Sequence, residues 1–377
     1  MKKKRVCSMK NVLITGSSGL IGSACVEKFL KEGWKVTGVD NFTREKLFGK
    51  EADTHSNLDP LKKEKNFTFV ESDIRNNEVV RPLIEEADAI VHLAAQPSHP
   101  RSLEIPMEDF QINAFGTLNL LELTRNYNKE IPFAYMSSNK VYGDYPNFYN
   151  YKTIENSVYR RYENTALESF DEFLPIDGCG HTPFGVSKAA ADMYCQEYAI
   201  NYGMTTATFR GGCLIGSHQK AVEMHGFLGF FTKQILLRNK LFVYGGGYRV
   251  RDNIHSSDVA DVLHLWVTDP KPSQTGQFGK PYNLGGMRAN SVSIYETIAA
   301  IEAKTGLVAD YEEAAERESD HLWWISNMSR FRNDYPRWKG PKRDLDYIFN
   351  ELLRNWIDVL HLKVTLKKPH YFRELRR

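Results

Sequence analysis

The chain has 377 residues, 42% of them hydrophobic and 25% charged, with a formal net charge of +2. That length can bury a large core as one large domain or two coupled ones. The near-neutral balance argues against a surface made for nucleic acid or an anionic membrane, so any phosphate-binding charge must be local. Five scattered cysteines (Cys7, Cys25, Cys179, Cys195, Cys213) lack metal-ligand spacing. They read as reduced thiols, which predicts no metal site and a cytoplasmic setting. Met1 to Arg5 is basic like the start of a signal peptide, but the apolar run Val12-Leu13-Ile14 is too short for its core. No run approaches a membrane span. Residues 1–8 are expected to form a leader and residues 366–377 a basic tail.

In chain order, apolar stretches predict strands at Val12–Thr15, Lys35–Val39, Phe67–Glu71, Ala89–Leu93, Phe133–Ser137 and Thr205–Phe209. Helical patterns lie between them, near Ile21–Leu30, Val79–Glu85, Met107–Tyr127 and Gly185–Tyr202. Such alternation is the signature of a doubly wound parallel sheet, an α/β fold. Tyr145 to Gly180 is a long aromatic-rich connection, expected to be functional and to cover a substrate. After Arg210 the pattern loosens. A strand is expected at Tyr282-Asn283-Leu284 and a helix at Ile294–Thr305, and Trp323, Trp324 and Trp338 are assigned to a smaller, mostly helical C-terminal lobe. The expected division is 9–210 for the sheet domain, which also receives about 252–286, and 211–251 with 287–365 for the lobe.

Gly16-Ser17-Ser18-Gly19-Leu20-Ile21-Gly22 follows the first strand and opens the first helix. Its glycines permit a tight turn, close approach of a pyrophosphate and close helix–strand packing, the Rossmann arrangement for a dinucleotide. Asp40, followed by Asn41, lies at the end of the second strand, where a carboxylate would bind ribose hydroxyls and repel a 2′-phosphate. NAD is therefore the expected cofactor.

The two-residue spacing between these glycines resembles that of the extended short-chain dehydrogenase/reductase family. Further segments extend the likeness over roughly Lys10 to Gly286. Asp73-Ile74 matches the family's adenine contact, and His92-Leu93-Ala94-Ala95 matches a segment in which Leu93, Ala94 and Ala95 would line the cofactor. Asn113 resembles a helix asparagine near the cofactor, and no chemical role is expected of His92. The family uses a serine or threonine, a tyrosine and a lysine four residues later. Ser138 and Lys188 fall on the first and last positions. The tyrosine position holds Phe184.

A phenyl ring carries no proton, and losing a general acid–base group costs ~10²–10⁴-fold in rate. Two readings of Phe184 stay open: a Tyr→Phe substitution made to trap substrate, or a natural chain that uses another base or has lost turnover. Tyr142 is a neighbouring phenol, expected on the sugar side and not as the base. After Ser138 comes Asn139-Lys140, where dehydratases of the family carry an Asp-Glu pair. Asn139-Lys140-Val141-Tyr142-Gly143 resembles the CDP-paratose 2-epimerase (CDP-tyvelose epimerase) branch. The resemblance implies a nucleotide-diphosphate sugar as substrate, with Gln96, Asn139, Lys140, Gln219 and Arg251 contacting it and Arg251 on the diphosphate. Phe227–Phe231 would line the nucleobase pocket or pack in the core. The implied reaction is epimerisation by transient oxidation at carbon 2. The alternatives are a 4-epimerase, a decarboxylase, or a non-catalytic NAD-binding scaffold or sensor. The helices at Met107–Tyr127 and Gly185–Tyr202 resemble the pair through which family members dimerise, so a homodimer or higher homo-oligomer is expected.

Overall fold

A computed structural model describes residues 9–222, 226–273, 276, 278–316 and 320–376. The expected leader, residues 1–8, lies outside the described residues.

Seven strands form one parallel sheet. β1 (Asn11–Thr15), β2 (Lys35–Asp40), β3 (Phe67–Glu71), β4 (Ala89–His92) and β5 (Phe133–Ser138) come first. After the hairpin of β6 (Tyr151–Glu155) and β7 (Arg160–Asn164), β8 (Thr206–Gly211) rejoins the sheet. β9 (Cys213–Ile215), β10 (Leu241–Tyr244) and β11 (Val250–His255) lie outside it, and β12 (Lys280–Leu284) closes its edge in the order β12-β8-β5-β4-β1-β2-β3. The order in which strands are added reverses between β1 and β4, which opens the crevice where a dinucleotide binds in such sheets. The strands are near-continuous apolar runs because helices cover both faces. Val12 and Ile14 point into one core and Leu13 into the other, and all three are fully buried.

The smaller lobe packs helices Phe227–Leu237, Ile294–Thr305 and Leu345–Val359 around Leu228, Ile235, Ile298, Ile301, Phe349 and Leu352. A parallel pair, β10 with β14 (Tyr311–Ala314), flanks them. Between lobe and sheet, β11 pairs with β9, with β13 (Ser291–Ser293) and with β15 (Trp323–Trp324). Both tryptophans are thus fully buried on a strand, not on a lobe helix. Trp338 departs further from expectation: it packs on Phe331 within the core of the large sheet. The C-terminal residues are not a free tail either. Phe372 is buried on Phe349, and Asp346 accepts its backbone N–H at 3.1 Å.

None of residues 145–180 lines the cavity described below: some of its large side chains pack elsewhere, and Phe148 and Phe173 are exposed. Phe170 is buried among Tyr149, Trp323 and Trp324, and Arg161 is buried against Glu296 and Ser291. It ties the sheet to the lobe. Met107–Tyr127 is not one regular helix but helix Pro106–Phe110, a π-turn at Gln111–Phe115 and helix Gly116–Tyr127.

Candidate active site

The first turn is shaped by backbone approach. Gly16 has φ +71° at the end of β1, and a Cβ there would lie 2.7 Å from the Ala94 amide nitrogen. A Cβ on Gly22 would fall 1.9 Å from the Gly16 carbonyl oxygen. Only glycine fits both. The helix Leu20–Lys31 starts at Gly19 with no side-chain cap and no acidic residue in its first turn. Gly19, Leu20, Ile21 and Gly22 instead face a cavity of about 600 Å³. Uncapped N–H groups and the helix dipole suit a pyrophosphate there.

Asp40, Asn41, Asp73, Ile74, Leu93, Ala94 and Ala95 line the same end. Asp40 accepts hydrogen bonds from the Ser18 and Phe42 amides, both at 3.0 Å. Arg75 grips both oxygens of Asp73 at 2.8 and 2.7 Å and lowers its pKa, and Asn41 donates to it at 3.1 Å. Asp73 therefore stays charged at the rim that Asp40 was expected to form.

Ser138, Phe184 and Lys188 line the middle of the cavity. Ser138 ends β5, and its Oγ accepts from the Lys140 amide at 3.1 Å. Phe184 and Lys188 sit four residues apart on helix Pro183–Tyr202, hence on one face. Lys188 Nζ donates to the Met136 carbonyl at 2.9 Å. Burial pulls its pKa down to about 8, partly offset by Asp109.

Two expected contacts lie behind this wall instead. Gln96 and Asn113 are buried and absent from the cavity lining among the described residues. Gln96 Nε2 donates to Asp109 Oδ1 at 2.7 Å and to the Ser98 carbonyl at 2.8 Å. Asn113 accepts from the Gln96 amide at 2.9 Å and donates to the Gln96 carbonyl and Ser187 Oγ, both at 3.1 Å. Their amides are consumed in bracing the segment after β4 against the helix of Lys188, as buried amides must be. Tyr142 also turns away, donating to Asn283 Oδ1 at 2.8 Å beneath Arg210. His92 is a satisfied core histidine between Thr15 and Thr117, with burial pulling its pKa to about 3.

Asn139, Lys140, Gln219 and Arg251 line the same cavity, with Phe227, Phe230 and Phe231. Phe231 also belongs to the lobe core, as the packing alternative for that run expected. The residue that sequence reasoning missed is Asp320. It accepts from Arg251 at 2.6 Å and lies 3.6 Å from Lys140 Nζ. Burial opposes its charge, yet Arg251 and Lys140 hold its pKa well below the usual carboxylate range. Arg249 and Asn147 donate to its carbonyl, each at 3.0 Å. Asp320 sits in an irregular polar stretch with no motif or periodicity, so nothing local marks it.

The model of the family described as "NAD dependent epimerase/dehydratase family" matches residues 12–285. The CDP-paratose 2-epimerase of Salmonella typhi is 32% identical over 332 residues, covering 85% of this chain and 92% of that protein. A putative UDP-glucose 4-epimerase of Methanocaldococcus jannaschii is 30% identical, covering 66% and 70%. In fold, the chain is similar to UDP-glucuronic acid 4-epimerase from Bacillus cereus, solved with UDP-glucuronic acid and NAD. The TM-score is 0.75 at 21% identity, covering 93% of this chain and 99% of that one. The glycine turn, the acidic rim and the match over residues 12–285 thus agree: this chain belongs to the NAD-dependent epimerase/dehydratase family, among the extended short-chain dehydrogenases/reductases, and its cofactor is NAD.

Proposed function

We propose that the chain epimerises a nucleotide-diphosphate sugar at carbon 2, and that Phe184 lowers its turnover. The observation that carries this reading is a single cavity running from the glycine turn, past Ser138, Phe184 and Lys188, to Arg251. Gly16, Gly19 and Gly22 would hold the pyrophosphate of NAD, Asp40 its adenosine ribose and Lys188 its nicotinamide ribose. NAD, when bound, supplies the acceptor and later the donor of the hydride. Ser138 Oγ would hold the sugar oxygen, and Arg251 would pair with the diphosphate, a task suited to a guanidinium. Phe184 fills the space of the phenol but moves no proton. Carbon 2 is supported by Asn139-Lys140 in place of an acidic pair and by the similarity to a CDP-paratose 2-epimerase.

We assign the chain to the cytoplasm as a homodimer. No helix of the described residues is long and apolar enough to cross a membrane. Val186, Met193 and Ile200 repeat every seven residues on an exposed helix face, near exposed Met107, Phe110 and Phe115. Such a face fits a four-helix contact between two copies.

The test is an assay of the native chain and Phe184→Tyr with CDP-, GDP- and UDP-sugars, following inversion by NMR. Inversion at carbon 2 is expected, with Phe184→Tyr faster by ~10²–10⁴-fold. Inversion at carbon 4, or decarboxylation, refutes the assignment. Tight NAD binding without nucleotide-sugar binding by either chain identifies a scaffold.

A further inference from the structure

Position 184 leaves the site without its usual proton carrier, so any proton must pass through another group on the cavity wall. Tyr142 is turned away and His92 is sealed in the core. Lys140 differs. Its side chain lines the cavity and is 13% exposed. Its amide donates to Ser138 Oγ, and a Cβ on Gly185 would lie 2.7 Å from its carbonyl oxygen. Residue 140 is therefore wedged between Ser138 and the helix turn that carries Phe184. Asp320, itself clamped by Arg251 and by backbone contacts to Asn147 and Arg249, lies 3.6 Å from its ammonium.

We propose that Lys140 carries the proton that the Phe184 ring cannot, with Asp320 as its positioning residue. The proposal rests on the epimerase reading above. In the oxidising half-reaction the sugar O–H bond breaks onto the lone pair of neutral Lys140 Nζ. The C–H bond of the same carbon breaks at once, its hydride passing to the nicotinamide, and a carbonyl forms. In the return half-reaction the ammonium gives the proton back to that oxygen as the hydride returns to the opposite face. Two electrons leave the sugar and two come back, so nothing else is consumed.

The surroundings favour a lysine that can lose its proton. Burial draws the Lys140 pKa down to about 8, against the pull of Asp320, while Arg251 pushes it lower. Facing it are also Cys213, a thiol pushed up to about 12 by burial, and His321, which burial keeps neutral. His99 faces Asp320 from the cavity wall. Among these neighbours, Asp320 stays charged and Cys213 and His321 stay neutral around pH 8.

The test uses the full NAD-loaded chain and four forms: native, Lys140→Met, Phe184→Tyr and the double variant. Lys140→Met should lower kcat of the native chain by ~10²-fold, a loss larger than any change in nucleotide-sugar Kd, while NAD Kd stays within about threefold. In the Phe184→Tyr background the same change should cost about tenfold less in kcat than in the native chain, because the phenol carries the proton. Ethylamine should partly restore Lys140→Met in proportion to its free base. The native kcat should rise with pH through about 8, a limb that Asp320→Asn moves to lower pH. Independently of turnover, acylation of Lys140 read by peptide mass spectrometry should show a midpoint near pH 8. Equal losses in both backgrounds, a loss wholly in Kd, or an acylation midpoint above about 10, the range of an unperturbed lysine, overturns the proposal. Turnover by Phe184→Tyr alone overturns it and leaves the epimerase reading standing. No turnover by any form ends both.

Discussion

At the cofactor end of the cavity, backbone approach sets the shape beside a rim of local carboxylates, whereas at the sugar end side-chain charges from distant segments are paired. Gly16 and Gly22 leave no room for a Cβ, and the histidine beneath the floor is held uncharged between two threonines. Forty or more residues from any of these in sequence, Arg251, Lys140 and Asp320 form a charged triad on three separate segments. The first end is a cradle whose shape is set by backbone approach at Gly16 and Gly22. The second is a balance of charges that a diphosphate would re-partition, so its properties should follow pH and salt. The contrast teaches that one cavity can bind its cofactor by shape and handle its substrate by electrostatics.

The comparison can be broken at three points. The largest effect is expected from Gly22→Ala. The added methyl would collide with the Gly16 carbonyl, a backbone atom that cannot swing aside. NAD binding should weaken roughly 100-fold, about 2.7 kcal/mol, by calorimetry at any salt concentration. A change below about threefold would mean that shape does not govern this end.

Next comes Arg251→Gln. Losing a charge-assisted contact should weaken nucleotide-sugar binding by roughly tenfold, about 1.4 kcal/mol, and flatten its dependence on ionic strength. NAD affinity should not move. An equal loss for NAD would show that the two ends are not separable.

The smallest effect concerns His92. Its pKa falls from 6.5 to about 3 in the folded chain through burial, with Lys188 adding to the effect. Between those values the unfolded chain binds the extra proton, so stability rises with pH and is lost as pH drops below 6.5. From pH 6.5 to 5.5 the native chain should lose about 1 kcal/mol more than His92→Gln, read by denaturant unfolding. Parallel losses would mean that this histidine is not kept neutral.

Much of the fold was legible because its cues are local. Strands β1 to β5 and the first glycine turn can be read from apolar runs and from Gly16, Gly19 and Gly22, since each needs only neighbours along the chain. The lobe was less so. Trp323 and Trp324 look like helix-lobe residues by composition, yet β11 supplies a strand partner more than seventy residues away. The connection 145–180 looked like a cover because it is long and aromatic, but Phe170 found a buried niche against those tryptophans. Gln96 and Asn113 are in the segments that family resemblance marks, and only their hydrogen bonds reveal that they face inward.

By itself the sequence determined the nucleotide half: strand, glycine turn, helix and terminal Asp40 follow one another, and backbone geometry over a few residues dictates their use. It also exposed the missing phenol at Phe184, because a helix fixes which residue stands one turn before Lys188. Tertiary structure alone decided the charge balance of the sugar half. Asp320 meets Lys140 and Arg251 only because β11, the turn after β5 and the strand-leading loop before β15 converge. Coulomb interactions depend on distance through space, and chain separations of 69 and 180 residues carry no trace of it.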